Sequence, residues 1–529
     1  YGVNGSKFTN NSTGTINITN GGVGMAAFAS ASTGRLLYGT DSKITAGSLS
    51  LADKVLELDN KGTITVAGNQ SIGLYGETNE LPGGLSSLSA SNGSITNTGK
   101  IAMTGDAAVG ILAKRATVNL GGTGSSDIAV GTNGIGVYAE NSPVNIVSNT
   151  GIEVKDKGVG IFVKNDGSTL TGSALEIKYT GSANNSAAGI FYEGGTGHNV
   201  TNTTDVNIVN SGSDKGIVGV YMNNGGTLTN AATITDKSGK AYGIYSEGAD
   251  VVNNGTLNIG NKGKGILSTG GNVRLTSSSV INLGEDEAIG VYTKGTGNNV
   301  TADAGSTMAI GNGSYGFINE GTGNTITSNM TSQTVGDNTV FVFSRDTSGT
   351  VINNTPLTST GSLNYGLYSA GNVVNNADIN YNSGIGNVGI YSINGGSAVN
   401  NPGVSITVGA SNSDPTANQY AIGMAAGYFG DASTPAYTGN VVNKGTINVN
   451  GEYGIGMYGT EIGTTVTNDG TINLNANNTT GMYLDNGAYG INNGVIKSNG
   501  AGLKKVVGMV VKNGSTIENN GTIEINAEE

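Results

Sequence analysis

A short phrase of an apolar residue, Gly and a second apolar residue, often followed by Tyr, recurs along the chain. Ile72-Gly73-Leu74-Tyr75 and Ile455-Gly456-Met457-Tyr458 are two copies. Most of the central glycines are spaced in the mid-twenties of residues, and the interval of 50 between Gly316 and Gly366 contains a degenerate copy near Val340. Such a period indicates one small unit stacked many times. The marker glycines stand at positions 24, 73, 110, 136, 160, 189, 219, 243, 265, 290, 316, 366, 389, 423, 456, 481 and 508.

A second phrase lies between the markers and consists of an apolar pair, Asn, any residue, Gly, Thr and alternating apolar positions. Residues 441–449 and 466–474 are clear copies. The alternation has the period of two that is typical of strands, and we expect the Gly after Asn to supply a positive φ at a corner. Together with the marker phrase, each unit therefore contains three short strands.

The pattern predicts an all-β fold, a right-handed single-stranded parallel β-helix (a solenoid) of about 20 coils with roughly 25 residues each. We expect residues 1–529 to form one continuous β-helix and to be an internal part of a longer chain. Because stacked coils place like residues above one another, the apolar positions should form core ladders. The Asn positions should form amide hydrogen-bond ladders at the corners.

Longer intervals predict insertions that protrude from the coils, and loops on a regular scaffold often carry recognition. These insertions are expected near residues 41–59, 77–92, 411–419 and 428–437. For any single loop, a tolerated insertion without function is the interpretation we favour. The candidate binding residues in the loops are Glu77, Asn79, Glu80, Asp414, Tyr428, Phe429, Asp431 and Tyr437.

A column of aromatic residues follows the markers at the second position. Since the residue between is always apolar and should face the core, the aromatic residue should lie on the outer face. The rings would then form either a platform for sugar rings or a protein partner, or a stack that stabilises the coils. We favour stabilisation, because a binding site seldom uses every coil. The tyrosines are Tyr75, Tyr138, Tyr221, Tyr245, Tyr292, Tyr368, Tyr391, Tyr458 and Tyr483.

Composition and charge exclude several classes of function. The chain has 91 Gly, 6 Pro, no Cys and a net charge of -12. No basic stripe exists to replace the counterions of a nucleic acid, so we expect no nucleic-acid partner. His198 stands alone and the four Arg are scattered, while the acidic run 285–287 is expected to be a solvated corner. We therefore predict a protein that is not an enzyme and that carries no metal or cofactor.

Two repeated phrases, Asn-x-Gly-Thr-Ile-x-Ile at 519–525 and Gly-Ile-Gly-Met-Tyr at 454–458, stand in a Gly-rich, Asn-rich and Cys-free background. In these features the whole chain resembles the passengers of fusobacterial type V autotransporter adhesins, including their arginine-inhibitable and galactose-inhibitable members. The resemblance implies a passenger that is displayed at the bacterial surface and secreted through the protein's own C-terminal outer-membrane β-barrel, which we expect to be absent from residues 1–529.

The resemblance also implies binding to host-cell receptors, surface glycans or other bacteria, by a chain that is expected to be monomeric. It assigns no binding residue, since both phrases are structural. Two alternatives remain. The chain could be a structural spacer that presents a distal binding tip, or a polysaccharide-active β-helix enzyme, which would require an acidic cluster on one face.

Overall fold

Strands and turns make up almost the whole structure, a computed structural model that describes residues 2–3, 5–30, 55–79, 92–124, 126–165, 167–182, 187–211, 216–431 and 433–528. Within these ranges there is no α-helix, and the only helical turn is the 3₁₀ segment Pro415–Ala417. No helix in the described part of the chain is long and apolar enough to cross a membrane. The chain divides into two compact units, which consist of residues 1–250 with 255–263 and of residues 251–254 with 264–529.

Each coil contains three strands, and most strands pair in parallel with their counterpart in the next coil. The strand that carries the marker glycine belongs to a first sheet, and the strands before and after the Asn corner belong to other sheets. Among the described strands, the pairing is interrupted between Thr169–Gly172 and Asn199–Asn202 in the first unit and between Thr307–Ala309 and Gln333–Val335 in the second. For example, Val159 lies opposite Ile135 and Ile161 lies opposite Val137. The prediction of an all-β parallel β-solenoid is confirmed. The coils number about 16, slightly fewer than the roughly 20 predicted.

The strands of the first unit follow this scheme. Its first sheet contains Gly2–Val3, Val23–Ser30, Ile72–Asn79, Val109–Lys114, Ile135–Glu140, Val159–Val163, Ala188–Tyr192, Val218–Asn223 and Tyr242–Glu247. The second strand of each coil is Ser6–Asn10, Leu56–Asn60, Gly93–Asn97, Thr117–Leu120, Pro143–Ile146, Thr169–Gly172, Asn199–Asn202 and Thr227–Asn230. The third is Thr15–Ile18, Thr63–Val66, Lys100–Met103, Ile128–Val130, Thr150–Val154, Leu175–Tyr179, Val206–Asn210, Thr233–Asp236 and Thr256–Ile259.

The strands of the second unit repeat the scheme. Its first sheet contains Lys264–Thr269, Ile289–Lys294, Tyr315–Asn319, Val340–Ser344, Tyr365–Ser369, Val388–Ser392, Ile422–Ala426, Ile455–Thr460, Thr480–Asp485 and Val507–Val511. The second strands are Asp250–Asn253, Val273–Leu275, Asn299–Ala302, Thr325–Ser328, Thr350–Asn353, Asn372–Asn375, Ser397–Asn400, Asn440–Asn443, Thr465–Asn468, Tyr489–Asn492 and Thr516–Asn519. The third strands are Val280–Leu283, Thr307–Ala309, Gln333–Val335, Leu357–Ser359, Ile379–Ile385, Ser405–Ala410, Thr446–Val449, Thr471–Leu474, Val495–Ser498 and Thr522–Glu524.

The core of each unit is formed by the positions that the alternation predicts. The residue after the marker glycine is buried in every coil but the last, as Ile161 and Met457 illustrate, whereas Met509 after Gly508 is half-buried. The degenerate copy is also a complete coil, since Val342 lies between Phe317 and Leu367 in register and Phe341 occupies the marker position. The ring of Phe341 packs edge-on against Phe317 at a centroid distance of 5.5 Å. The interval of 50 residues therefore contains two coils, as predicted.

The marker glycines are required by the close approach of successive coils. A Cβ atom placed on Gly160 would lie 2.5 Å from the carbonyl oxygen of Gly189, and one on Gly73 would lie 2.6 Å from that of Gly110. Real Cβ atoms do not come this close to a carbonyl oxygen, so a side chain at this position would force the strands apart. The column of glycines is thus a packing requirement of the first sheet.

The glycine of the Asn-x-Gly corner has a different role from the one we predicted. Gly445 and Gly470 do not adopt a positive φ. A Cβ on Gly445 would instead overlap the carbonyl oxygen of Val404, and a Cβ on Gly470 would overlap that of Gly445. The expectation of a positive φ at these corners was wrong, because the constraint comes from the neighbouring coil and not from the local turn.

Buried asparagine side chains form the predicted ladders at the end of the second strand. In the second unit each amide nitrogen donates to the side-chain oxygen of the next member over distances of 2.7 to 2.9 Å. The amide nitrogen of Asn443 also donates to the carbonyl oxygen of Gly445. The buried amides therefore satisfy one another, which removes the cost of burying them singly. This ladder consists of the buried Asn353, Asn375, Asn400, Asn443, Asn468 and Asn492 and ends at the exposed Asn519.

Asn443→Ala is expected to lower the free energy of unfolding of the second unit by about 2 kcal/mol, because it removes the ladder partner of the buried side-chain nitrogen of Asn400 and of the buried side-chain oxygen of Asn468. The matched control is Asn376→Ala, in a solvent-exposed ladder where Asn376 bonds Asn354 and Asn401 with the same geometry. Water replaces the lost partner there, so a change below about 0.5 kcal/mol is expected. Hydrogen exchange of the neighbouring strands measures both values, and equal effects would refute the burial argument.

Candidate functional site

An outer column of aromatic side chains runs along the first sheet of each unit. All nine tyrosines identified in the sequence are half-buried on the outer face, one residue beyond the core position. In the first unit Tyr138 stacks on Phe162 at 5.1 Å, and Tyr221 stacks on Tyr245 at 5.1 Å. In the second unit Tyr368 stacks on Tyr391 at 4.9 Å. Most rings of the column therefore cover one another.

Several of these tyrosines are also fixed by acidic side chains of the same unit. The hydroxyl of Tyr75 donates to Glu77, and that of Tyr221 donates to Glu247 at 2.6 Å. In the second unit the hydroxyl of Tyr292 donates to Glu320. The hydroxyl groups of these three tyrosines are thus already hydrogen-bonded within the protein, which is consistent with a stabilising role for this part of the column.

The column is interrupted at Ala425. This alanine lies in register with Tyr391 on one side and with Tyr458 on the other, so it occupies a position where its neighbours carry rings. Two coil steps separate those two tyrosines, or roughly 10 Å at the usual strand spacing. Ala425 forms a buried apolar cluster with Val388 and Ile422, against which both tyrosines pack. The interruption leaves a slot about one ring wide between two aromatic walls.

Ala26 is the matching alanine in the first unit, and its position is filled in another way. Ala26 lies in register with Tyr75. Phe28, two residues further along the same strand, packs edge-on against Tyr75 at 5.0 Å. The corresponding residue after Ala425 is Gly427, which has no side chain. The slot at Ala425 therefore stays unfilled by its own strand.

A loop before the strand Ile422–Ala426 forms one side of this slot. Asn412 bonds Gln419 through both backbone and side chain, at 2.8 and 2.9 Å. The carboxylate of Asp414 caps the short 3₁₀ turn by accepting from the hydroxyl and the backbone N–H of Thr416, and these bonds lower the pKa of Asp414. Ser411 accepts from Ala421 N–H and donates to the carbonyl of Tyr453. The loop is thus held in one conformation by its own hydrogen bonds.

A hairpin after the same strand forms the opposite side. Tyr428 and Tyr437 exchange backbone hydrogen bonds of 2.8 and 2.7 Å. Asp431 accepts from the Tyr428 hydroxyl and from the backbone of Ser433, and these bonds hold the pKa of Asp431 well below its usual range. Phe429 projects from the hairpin with 62% of its surface exposed. A large exposed aromatic ring is unusual in a soluble surface and is typical of binding sites.

Together these parts enclose a groove of about 730 Å³ on the second unit, which we call the tyrosine groove. Burial raises the pKa values of the Tyr391 and Tyr458 hydroxyls, so both groups stay protonated and can donate hydrogen bonds. The Tyr391 hydroxyl donates to the carbonyl of Gly427. The lining residues are Leu363, Tyr365, Gly386, Val388, Tyr391, Asn418, Gln419, Tyr420, Ile422, Ala425, Tyr428, Phe429, Ile455, Tyr458, Tyr483, Asp485 and Lys512.

One carboxylate and one ammonium group stand at one end of the groove. Both hydrogen bonds that Asp485 receives from the described part of the chain, from Asn513 and from the backbone of Asn486, end on Oδ1. The ammonium group of Lys512 lies 5.9 Å from the ring centre of Tyr483. A hydrogen bond to Tyr483 raises the pKa of Lys512. This end therefore offers a hydrogen-bond acceptor and a charged donor side by side.

The structure brings together only part of the predicted binding set. Tyr391, Tyr458, Tyr483, Tyr428 and Phe429 line the groove. The other aromatic candidates lie elsewhere along the column, and Asp414, Asp431 and Tyr437 serve the loops beside it. Glu77 lies in the strand Ile72–Asn79 against Tyr75. The side chain of Asn79, Glu80 and most of the insertions predicted at 41–59 and 77–92 lie outside the described residues, although Leu56–Asn60 is a regular strand.

Sequence reasoning missed Ala425, Ile422 and Asp485. A usable signal was present, because the coil marked by Gly423 is one of those where the column lacks a ring, and long intervals occur on both sides of it. Lys512 and Tyr420 carry no such signal.

Other candidate chemistry has no support from the arrangement. The described ranges hold no group of three or more His, Cys, Asp or Glu that could bind a metal ion. Residues 285–287 form an exposed turn whose backbone bonds the next coil through Asn312 and Gly313. This placement agrees with a solvated corner.

Residues 289–493 match a protein family described as the BigA third pectate lyase-like domain. Domains of this kind belong to bacterial surface proteins. The matched residues include the strands that carry Tyr391, Ala425, Tyr458 and Tyr483. No curated protein and no solved structure matches the chain significantly. Pectate lyase-like folds are associated with enzymes, whereas the BigA domain is a non-enzymatic surface domain.

Proposed function

We propose that this chain is a recognition segment of a bacterial surface adhesin, displayed by an autotransporter, and that it binds partners on host cells or other bacteria through the tyrosine groove. The partner supplies a ring or a similar flat group that enters the slot above Ala425. Phe429 and Tyr420 contact the partner outside the slot.

The interruption of the aromatic column carries this proposal. A column that served only to stabilise coils would gain from a ring at position 425 as it does elsewhere, since each aromatic pair contributes roughly 0.5–1.5 kcal/mol. Other coils replace the ring by a large apolar side chain, such as Leu112, Leu267 and Ile318. Ala425 instead leaves a slot in the one described coil that two loops flank, and an exposed phenylalanine stands beside the slot. The loss of a stabilising ring contact at a place where two loops converge is typical of a binding site.

The similarity of residues 289–493 to a domain of bacterial surface proteins supports display at the cell surface. The repeated phrases and the absence of Cys support the same assignment. The two alternative functions, a structural spacer and a polysaccharide-active enzyme, are tested by the binding experiment that follows.

Phe429→Ser is expected to weaken binding of the purified chain to host cells or partner bacteria roughly tenfold, because it removes an exposed aromatic anchor. The matched control is Ile462→Ser, which removes a side chain that is 82% exposed on the same unit but outside the groove. Binding is measured by flow cytometry with labelled protein over a concentration series. Both substitutions remove exposed apolar surface, so neither should alter the melting temperature.

Saturable binding that Phe429→Ser weakens and Ile462→Ser does not would support the groove as the adhesive site. Equal binding by all three proteins would place recognition elsewhere on the chain. A folded chain that binds no cell would favour the spacer, and release of products from cell-surface polysaccharide would favour the enzyme.

A further inference from the structure

The chemistry of the tyrosine groove points to a particular class of partner, and this inference rests on the proposed function. The floor of the groove is the side-chain face of the first sheet. The five strands beneath it, from Tyr365–Ser369 to Thr480–Asp485, are each paired on both sides by parallel neighbours. No backbone edge is open there, so an extended peptide could not bind by strand addition, the mode that supplies main-chain hydrogen bonds to peptides.

The walls of the slot suit a ring with an apolar face. Tyr391 and Tyr458 stand on either side of Ala425, roughly 10 Å apart, which leaves room for one ring between them. An aromatic face carries negative charge density and attracts the slightly positive C–H groups of a saturated ring. A pyranose ring presents such C–H groups on its faces and hydroxyl groups around its edge.

The rim of the groove suits the edge of that ring. A sugar hydroxyl both donates and accepts hydrogen bonds, and the groove offers partners of both kinds. The carboxylate of Asp485 can accept a hydrogen bond and the ammonium of Lys512 can donate one. The side-chain amides of Asn418 and Gln419 contain both a donor and an acceptor. A proline-rich peptide, which also docks on aromatic grooves, presents carbonyl acceptors and would have no use for the carboxylate.

The charges of the groove lining and of the whole chain favour a neutral sugar over an acidic one. The single carboxylate and the single ammonium of the lining cancel, and the whole chain carries a net charge of -12. A polyanionic glycan would therefore meet repulsion from the chain without a basic patch to offset it. The lining extends over five coil steps from Tyr365 to Lys512, or roughly 24 Å, which exceeds the size of one sugar.

We propose that the tyrosine groove binds a neutral glycan chain of several hexopyranose units, one of which lies over Ala425 between the rings of Tyr391 and Tyr458. Asp485 and Lys512 bind the hydroxyl groups of a neighbouring unit, and the amides of the 411–420 loop contact the opposite edge. Ala425 determines specificity, because any larger side chain would occupy the place of the sugar ring.

The test is saturation-transfer NMR and calorimetric titration of the full chain with neutral hexose oligomers of increasing length. Polygalacturonate and a polyproline peptide serve as comparison ligands. We expect saturable binding of a neutral oligomer whose affinity rises with length and then levels off, with saturation transfer to ring C–H protons. Asp485→Asn and Lys512→Met should each weaken binding roughly tenfold, the effect of one lost charged hydrogen bond. Lys504→Met, which changes a surface lysine outside the groove lining, should leave binding unchanged.

Failure of this inference can be distinguished from failure of the proposed function. If Phe429→Ser weakens cell binding but no neutral oligomer binds, the groove is adhesive and its ligand is not a neutral glycan. Preferred binding of polygalacturonate would overturn the charge argument, and preferred binding of polyproline would overturn the carbohydrate assignment. Binding of neutral oligomers that Asp485→Asn and Lys512→Met leave intact would place the sugar site elsewhere.

Discussion

Gly160→Ala is expected to destabilise the coils around it by about 3 kcal/mol or more, a large effect for the addition of one methyl group. The new Cβ would stand 2.5 Å from the carbonyl oxygen of Gly189, which belongs to the paired backbone of the next coil. A flexible side chain could move away, but this oxygen cannot move without loss of the parallel pairing between Val159–Val163 and Ala188–Tyr192. The strands must separate locally, so their hydrogen bonds weaken.

The matched control is Gly21→Ala, because Gly21 lies in the same unit, does not adopt a positive φ and has no atom within 4 Å of the added Cβ. There the methyl group meets open space, and the change should be neutral or slightly stabilising. Native-state hydrogen exchange of the two strands measures the opening free energy directly, which avoids assuming one cooperative transition in a long repeat chain. Equal protection in both variants would mean that the glycine column has no packing role.

Ala425→Tyr is expected to abolish the binding activity of the tyrosine groove, with a loss of roughly 100-fold or about 2.7 kcal/mol. The substitution restores the residue that the column carries on both sides. Its ring would fill the slot between Tyr391 and Tyr458 and exclude any ligand from it. The new ring contacts should leave the melting temperature unchanged or raise it, since each aromatic pair contributes roughly 0.5–1.5 kcal/mol.

Leu267→Tyr is the matched control for this experiment. Leu267 occupies the same position of the outer column in the same unit, in register with Tyr292, but lies outside the groove. The control adds the same ring to the same kind of site, and it should bind cells and glycans as well as the parent chain. Retained binding by Ala425→Tyr, measured by the same titration, would contradict both the groove and its proposed ligand. Loss of binding by a stable Ala425→Tyr variant separates recognition from folding.

The repeat pattern was sufficient to predict three strands per coil, the core positions and the asparagine ladder. These features depend on period alone, because stacked coils place each residue type beside its counterpart. The insertions at 411–419 and 428–437 were visible for the same reason, as departures from a regular spacing. The corner glycines were misinterpreted, since their constraint is a carbonyl oxygen from another coil, about 25 to 40 residues away in sequence.

The candidate site shows the same division between pattern and tertiary structure. By itself the sequence determined the solenoid, the outward column of tyrosines and the existence of loops beside the Gly423 coil. Only the tertiary structure decided which tyrosines are covered by neighbouring rings and which face an open groove. That distinction depends on Ala425 lying between Tyr391 and Tyr458, and on two loops closing over it with Lys512 nearby. Such a site is formed by residues of six successive coils, and a period of 25 describes each coil without describing the surface that they form together.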